Sequence, residues 1–213
     1  MANGCSSSIP GDQFTSGARD FLTRERVEIR PAREAAIESF RILSGGSVEK
    51  KPEHMTHLHG NVLVPKTHPR IRFRGKMDSL QGMLILCQCH CPEAREALGE
   101  ILDLSHKILR CDVLEEPLKT GTLCGLTEEQ LQKHSHFPQE FYGIPHFMPR
   151  EEDGEAVVLL NLCRCAAREA ELAAVEAFSD REGNPTRTDL LQALNRMSSM
   201  LYILMIKKKA GKL

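Results

Sequence analysis

Several long stretches of this chain repeat apolar residues at the spacing of an α-helix, and this feature limits the folds that it can adopt. One helix face between residues 69 and 91 carries Phe73, Met77, Leu80, Leu84 and Cys87. The stretch from 188 to 209 carries a second such face, formed by Leu190, Leu194, Met197, Leu201 and Leu204. Similar patterns start near Pro92 and Gly154, and a shorter one starts at Thr127, where Thr-Glu-Glu-Gln has the spacing of a capping box. Helices with one apolar face bury it against one another, so the sequence predicts a mostly α protein built as a bundle of about five helices.

The first 49 residues have a different pattern. Residues 14–30 predict a short helix followed by a short strand, and Pro31 can open a second helix that includes Phe40. We therefore divide the chain into a small N-terminal α/β appendage with a linker, residues 1–49, and a helical-bundle domain, residues 50–213. The stretch from residue 50 to residue 70 contains three prolines and four histidines, and we predict a basic loop there.

Composition excludes several classes of function. The chain has 28 Lys and Arg residues against 29 Asp and Glu residues, so there is no net positive field to hold nucleic acid. Its longest apolar run, residues 200–206, is far shorter than the ~20 residues that a membrane span needs. Several of the eight cysteines lie inside helical patterns, which favours reduced thiols over disulfides. We predict a cytoplasmic protein that binds neither nucleic acid nor a membrane.

The polar residues that stand out most lie in the helical pattern that begins near Gly154. Arg164, Arg168 and Glu171 are spaced i, i+4 and i+7, so they share one face of a helix. Two guanidinium groups one turn apart cannot pair with each other, and they need a polyanion or several carboxylates. The alternative is a solvated face on which Arg168 and Glu171 form an ordinary surface ion pair.

Three further clusters allow two readings each. Asp78 lies among inward-facing apolar residues, so it either meets an arginine of another helix or turns to solvent. Asn195 and Arg196 either hold a ligand at the bundle wall or belong to the outer face of the last helix. Cys87, His90 and Cys91 are one turn apart on a helix and offer three metal ligands, but Cys87 also fits the apolar stripe as a core thiol.

Five segments that contain these residues resemble the corrinoid adenosyltransferases, most closely their ethanolamine-utilisation branch. The segments, in order, are KKPEHMTHL, PKTHPRIRFRGKMDS, DVLEEPLKTGTLCGLTEEQLQKHSHFP, LLNLCRCAAREAELAAVEAF and LLQALNRMSSMLYILMI. The resemblance implies a helical bundle that associates into a homo-oligomer, a trimer or a dimer, with ATP bound between subunits. It also implies transfer of the 5′-deoxyadenosyl group of ATP, accompanied by Mg²⁺, to the cobalt of cob(I)alamin or another reduced corrinoid, with release of triphosphate.

The resemblance assigns roles to single residues. Arg164, Arg168 and Glu171 match the family's Arg-x-x-x-Arg-x-x-Glu motif, whose arginines bind the polyphosphate, and Asp78 matches an aspartate that pairs with one of them across the interface. The residues expected to be catalytic are thus Arg164, Arg168 and Asp78. Those expected to contact ATP are Thr56, His57, Lys66, Arg70, Arg164, Arg168, Glu171, Asn195 and Arg196. Those expected to contact the corrinoid, by displacing the lower cobalt ligand, are Phe137, Phe141, Tyr142 and Phe147; alternatively these four only anchor a loop.

One departure from the ethanolamine branch affects the cofactors. That branch often carries a histidine and a Cys-Cys-x-x-Cys metal site just before the Lys-Lys-Pro segment, whereas residues 38–52 here contain no cysteine. No transition metal is therefore expected. The resemblance further implies a flavin reductase and ethanolamine ammonia-lyase as partners, and a place inside or beside a bacterial microcompartment. Two other functions stay open: a carrier or sensor that binds corrinoid and ATP without catalysis, and a scaffold of an enzyme shell that binds neither.

Overall fold

A computed structural model of the protein describes residues 39–213. The strands are β1 (Phe40–Ile42), β2 (Ser47–Val48), β3 (Met55–His59) and β4 (Val62–Pro65). The helices are α1 (Pro69–His90), α2 (Arg95–Leu114), α3 (Glu128–His136), α4 (Pro138–Tyr142), α5 (Glu155–Ala177) and α6 (Thr188–Lys209). The mostly α bundle with a small appendage on its N-terminal side is confirmed, whereas the helix and strand predicted within residues 14–30 lie outside the described residues.

The four strands form one sheet in the order β2-β1-β4-β3, in which only the β1–β4 pair is parallel. This sheet corrects two predictions: Phe40 begins a strand rather than continuing a helix, and the predicted loop of residues 50–70 contains the β3–β4 hairpin. The apolar run Val62-Leu63-Val64 favours a strand and is buried. Gly60, whose φ is +48°, forms the short turn of the hairpin. The sheet includes strands from both sides of residue 50.

Helices α1 and α3 begin with local caps. The His68 imidazole accepts a hydrogen bond from the Arg70 backbone N–H at 3.2 Å, and Pro69 occupies the first helical position, where no N–H is needed. The predicted capping box of α3 is confirmed, since the side chain of Thr127 accepts from the backbone of Gln130 and the side chain of Gln130 accepts from the backbone of Thr127. The predicted apolar stripe of α1 is completely buried.

Helix α5 lies at the centre of the bundle, because it packs against both α1 and α6. Its buried face is rich in small side chains, namely Ala166, Ala167, Ala170, Ala173 and Ala174. These alanines leave room for the larger side chains of α1 and α6, such as Met77, Leu80, Leu194 and Met197, which are fully buried. None of the helices in the described part of the chain is long and apolar enough to span a membrane.

A buried ion cluster joins α1, the end of α2 and the β3–β4 hairpin. The Asp112 carboxylate, which has no exposed surface, accepts from Arg70 Nε at 2.8 Å and from Arg74 Nε at 2.6 Å. Arg74 Nη2 also donates to the carbonyl oxygen of Leu58 at 2.8 Å. Removing a buried charge from such a cluster would leave its partners uncompensated, so the cluster fixes how these three elements meet.

Candidate functional site

The Arg-x-x-x-Arg-x-x-Glu residues lie on α5, at the side of the bundle nearest α6. Arg164 is half-buried and is held in place, because its Nε and Nη2 donate to Asn161 Oδ1 at 3.1 and 3.0 Å. Arg168 is exposed and makes no hydrogen bond or ion pair with any other residue of 39–213. The face thus combines one oriented guanidinium group with one whose donors are available to a ligand.

Two residues of the motif connect α5 to α6. Asn195 Nδ2 donates to Glu171 Oε1 at 3.3 Å, and the Arg164 guanidinium lies over the ring of Tyr202 at 5.9 Å. The structure therefore brings the predicted ATP residues Glu171 and Asn195 together, although they are 24 positions apart in sequence.

The Arg196 side chain, unlike that of Asn195, contacts residues outside α5. Its Nη1 donates to Thr120 Oγ1 at 2.5 Å, and its Nη2 pairs with the carboxylate of Glu128, which lowers the pKa of that exposed carboxyl group. The Nε of Arg196 is buried without a hydrogen-bond partner in the described part of the chain. Arg196 and Asn195 line a polar cavity of about 180 Å³, which reaches His136 at the end of α3.

Asp78 lies on an exposed part of α1 and has no ion-pair partner within residues 39–213. Within one chain it does not meet Arg164 or Arg168, whereas its neighbour Lys76 pairs with Glu169 of α5 at 2.6 Å. The predicted contact of Asp78 with an arginine therefore requires a second chain, and it stays a prediction.

The four residues predicted to cover the phosphates lie in and just after the hairpin. Thr56 and His57 are in β3, and Lys66 is exposed just after β4. Arg70 is committed to the ion cluster, since its Nη1 also donates to Glu115 at 2.9 Å and lowers the pKa of that carboxyl group. A phosphate would have to displace one of these carboxylates from Arg70, and the role of all four residues in ATP binding remains a prediction.

The aromatic residues predicted for the corrinoid fall into two groups. Phe137 and Phe141 are exposed, by 57% and 37%. Tyr142 is buried, which raises its pKa, and Phe147 is half-buried against the core. An apolar cavity of about 340 Å³ is lined by His136, Phe137, Pro138, Gln139, Glu140, Pro145 and His146. His136 lines both this cavity and the polar one, so the two predicted substrate regions adjoin.

Helix α6 holds the aromatic segment, defined here as residues 136–148, through contacts that the sequence reasoning missed. The Tyr202 hydroxyl lies 2.6 Å from His146 Nδ1, and Lys209 Nζ lies 4.2 Å from the centre of the Phe147 ring. The lysines at 207–209 also suit the negative end of the helix dipole. One signal was present in the sequence: Tyr202 is a phenol within an apolar run, and a buried phenol generally finds a hydrogen-bond partner.

The residues from Cys87 to Cys91 do not converge. Cys87 and Cys91 are buried, Cys87 contacts Cys163 of α5, and His90 faces outward to Glu155 at 3.0 Å. Within residues 39–213, no group of three or more His, Cys, Asp or Glu side chains is arranged to hold a metal ion.

Comparison with known proteins gives the family. A family model described as cobalamin adenosyltransferase matches residues 47–208. A corrinoid adenosyltransferase EutT of Salmonella typhimurium is 37% identical over 160 residues, which are 75% of this chain and 60% of that protein. A protein of the same description from Escherichia coli K12 is 38% identical with the same coverage. The matched region thus spans less than two thirds of the length of these relatives. On this similarity, which includes the two-arginine helix and the last helix, the chain belongs to the cobalamin adenosyltransferase family.

Proposed function

We propose that this protein transfers the 5′-deoxyadenosyl group of ATP to the cobalt of a reduced corrinoid such as cob(I)alamin. The observation that carries the proposal is the face of α5 on which Arg164 is held by Asn161, while Arg168 has no hydrogen-bond partner among residues 39–213. Such a pair suits a triphosphate, because each guanidinium group can bind two phosphate oxygens. Membership of the family supports the reaction class.

The reaction makes modest chemical demands on the protein. Co(I) is itself the nucleophile, so the cobalt–carbon bond forms as the bond from C5′ to oxygen breaks, and that oxygen leaves with the triphosphate. The side chains must therefore aim C5′ at cobalt and stabilise the charge that builds on the leaving group. Arg164 and Arg168 supply this stabilisation in our proposal, together with Mg²⁺ bound by the triphosphate.

We propose that the aromatic segment contacts the corrinoid. Phe137 projects next to the apolar cavity of about 340 Å³ and has the most exposed of the four aromatic rings predicted to contact the corrinoid. A ring in this position could occupy the place of the lower cobalt ligand. Tyr142 and Phe147 are packed against the bundle, so in our proposal they hold the segment and Phe137 makes the contact.

We further propose that two or three copies of the chain complete the site. Asp78 and Ile85 are spaced i and i+7 on the exposed side of α1, and Ile85 is 50% exposed. Arg168 shares its helix face with Leu172 and Val175, which are 70% and 44% exposed. Within the described part of the chain neither charge has a partner, and each lies beside apolar side chains that a second copy would cover. Asp78 of one copy would then pair with an arginine of the other.

We also propose a cellular location and partners for the protein. The seven cysteines in the described part of the chain are all free thiols, which supports a reducing, cytoplasmic location. The resemblance to the ethanolamine branch supports ethanolamine ammonia-lyase as the consumer of the product, a flavin reductase as the electron source, and association with a microcompartment.

The test is an absorbance time course of chemically reduced cobalamin with ATP and Mg²⁺. The parent protein should form adenosylcobalamin and triphosphate. Arg168→Met should lower kcat/KM at least about a hundredfold with unchanged circular dichroism, because the change removes a charge-assisted contact to the leaving group. The matched control is Arg181→Met, which removes another exposed arginine, shortly after α5.

Other outcomes would replace the proposal. If Arg168→Met is as active as the parent, the assignment of the phosphate site is wrong. Stoichiometric binding of adenosylcobalamin without turnover would indicate a carrier or sensor. Equilibrium dialysis that detects binding of neither ATP nor cobalamin would indicate a scaffold.

A further inference from the structure

We propose that Tyr202 and His146 are positioning residues that fix the aromatic segment relative to Arg164. The inference rests on the proposed function, because it concerns how the corrinoid side of the site is held against the phosphate side. Neither residue belongs to the matched arginine motif, and neither was selected by spacing or composition.

The hydrogen bonds of His146 determine its tautomer. His146 Nε2 lies 3.1 Å from the carbonyl oxygen of His136, and a carbonyl oxygen can only accept, so Nε2 carries the proton. In the neutral imidazole Nδ1 is then the acceptor, and the Tyr202 hydroxyl donates to it at 2.6 Å. Burial raises the pKa of Tyr202, so the phenol keeps the proton that it donates. The contacts thus run in one direction from α6 through His146 to the end of α3.

The Tyr202 ring also lies close to Arg164, one of the residues proposed to bind phosphate. The Arg164 guanidinium lies 5.9 Å from the centre of the Tyr202 ring, and the His146 ring is stacked on Tyr202 with a centroid separation of 5.7 Å and an interplanar angle of 13°. Tyr202 therefore lies against both Arg164, which we propose to bind the triphosphate, and His146, near the C-terminal end of the aromatic segment. Among the contacts described above, only those of Tyr202 reach both Arg164 and His146.

This arrangement matters because the reaction joins two separately bound substrates. The rate depends on how accurately C5′ faces the cobalt, and a small displacement of one binding surface against the other lowers the rate even when each substrate still binds. Loss of the Tyr202 hydroxyl should therefore reduce kcat more than it raises either KM.

The first experiment is Tyr202→Phe, assayed with ATP, Mg²⁺ and chemically reduced cobalamin. The change keeps the ring under Arg164 and removes the hydrogen bond to His146, so we expect kcat to fall about tenfold while both KM values stay within about twofold. Tyr142→Phe is the comparison, since it removes an equivalent bond of 2.7 Å to His134 Nδ1 that does not reach Arg164. Its main effect should fall on the KM for cob(I)alamin.

The second experiment separates positioning from simple stability. His146→Gln retains an acceptor for the phenol and should recover part of the kcat that His146→Ala loses. The double variant of Tyr202→Phe with His146→Ala should be no slower than His146→Ala alone, because both changes break the same link. Additive losses, or a loss that follows only the melting temperature, would overturn the proposal.

The third experiment needs no turnover. The chain has no tryptophan and only two tyrosines, so in Tyr142→Phe the intrinsic emission comes from Tyr202 alone. Inorganic triphosphate, which does not absorb at the excitation wavelength, should change this emission, and Arg164→Met should abolish the change. Unchanged emission at saturating triphosphate would refute the contact with Arg164. If the parent makes no adenosylcobalamin, the proposed function fails; if the parent is active and Tyr202→Phe keeps its kcat, only the positioning role fails.

Discussion

Replacing Asp112 with alanine would leave two arginines without their shared buried partner. The Asp112 carboxylate has no exposed surface, and the side chains of Arg70 and Arg74 are only 14% and 18% exposed. Water cannot readily take the place of the lost carboxylate in such a site. The protein would therefore retain two positive charges close together in a poorly solvated place, unless the hairpin or the end of α2 moves.

The size of the effect follows from this burial. Removing one partner of a buried ion cluster costs about 3–5 kcal/mol, against a total free energy of unfolding of about 5–15 kcal/mol for a typical domain. With a urea m value of about 2 kcal/mol per M, the midpoint of unfolding should fall by about 2 M. Asp112→Asn keeps the shape and one acceptor oxygen, so its midpoint should lie between those of the parent and of Asp112→Ala.

The control is a second carboxylate that pairs with an arginine of the same helix. Glu176 accepts from Arg72 at 2.9 Å, but these two side chains are 50% and 55% exposed. Glu176→Ala should therefore cost less than about 1 kcal/mol, and 1 M salt should remove most of the difference from the parent. Equal losses in Asp112→Ala and Glu176→Ala would refute the argument from burial, as would a loss in Asp112→Ala that salt abolishes.

Two further predictions concern the corrinoid side and the response to acid. Phe137→Ala removes the exposed ring beside the apolar cavity, so steady-state kinetics should show a KM for cob(I)alamin at least about fivefold higher, with little change in the KM for ATP. The prediction is contradicted if the variant and the parent have the same KM for cob(I)alamin. Hydrogen bonding to Arg187 lowers the pKa of Asp189 from its ordinary value of 3.8 to about 2, so this carboxylate stabilises the fold above about pH 4 and the contribution is lost as the pH falls towards 2. Asp189→Asn should flatten the decline of the melting temperature across that range, and a curve parallel to that of the parent would contradict the assignment.

The bundle was predictable because its signal is repeated along the chain. Each turn of α1 places one apolar residue on the buried face, and all five predicted positions, from Phe73 to Cys87, are fully buried. The spacing also predicted that Arg164, Arg168 and Glu171 share a face, since this depends on the geometry of one helix alone.

The sheet was harder to predict because its strands are short. The strands of two to five residues give too few alternating positions to identify them, and β1 and β4 are held together by pairing between distant parts of the chain. The histidines and prolines of residues 50–70 made this stretch resemble a loop, although Met55 and Leu58 both face the interior. Burial by distant neighbours, which the local sequence does not show, decides the conformation here.

Contacts between helices, strands and loops could not be predicted from the sequence for a related reason. Asp112 looks like an ordinary polar residue near the end of a helix, and nothing nearby indicates that it lies between arginines 42 and 38 positions earlier. The pairing of Tyr202 with His146 likewise depends on how α6 is rotated and on how the aromatic segment folds back onto it. Such contacts depend on the mutual placement of helices, which a periodic pattern leaves free.

The central place of β4 in its sheet affects how a shortened form of this protein should be made. A gene fragment that started at residue 50 would keep every helix of the bundle, yet it would delete β1 and β2. Strand β4 would then have an open edge next to the apolar side chains of Val62, Leu63 and Val64, and open edges of this kind promote association between molecules. Expression of the bundle should therefore begin at or before Phe40, even though the sequence pattern places its start ten residues later.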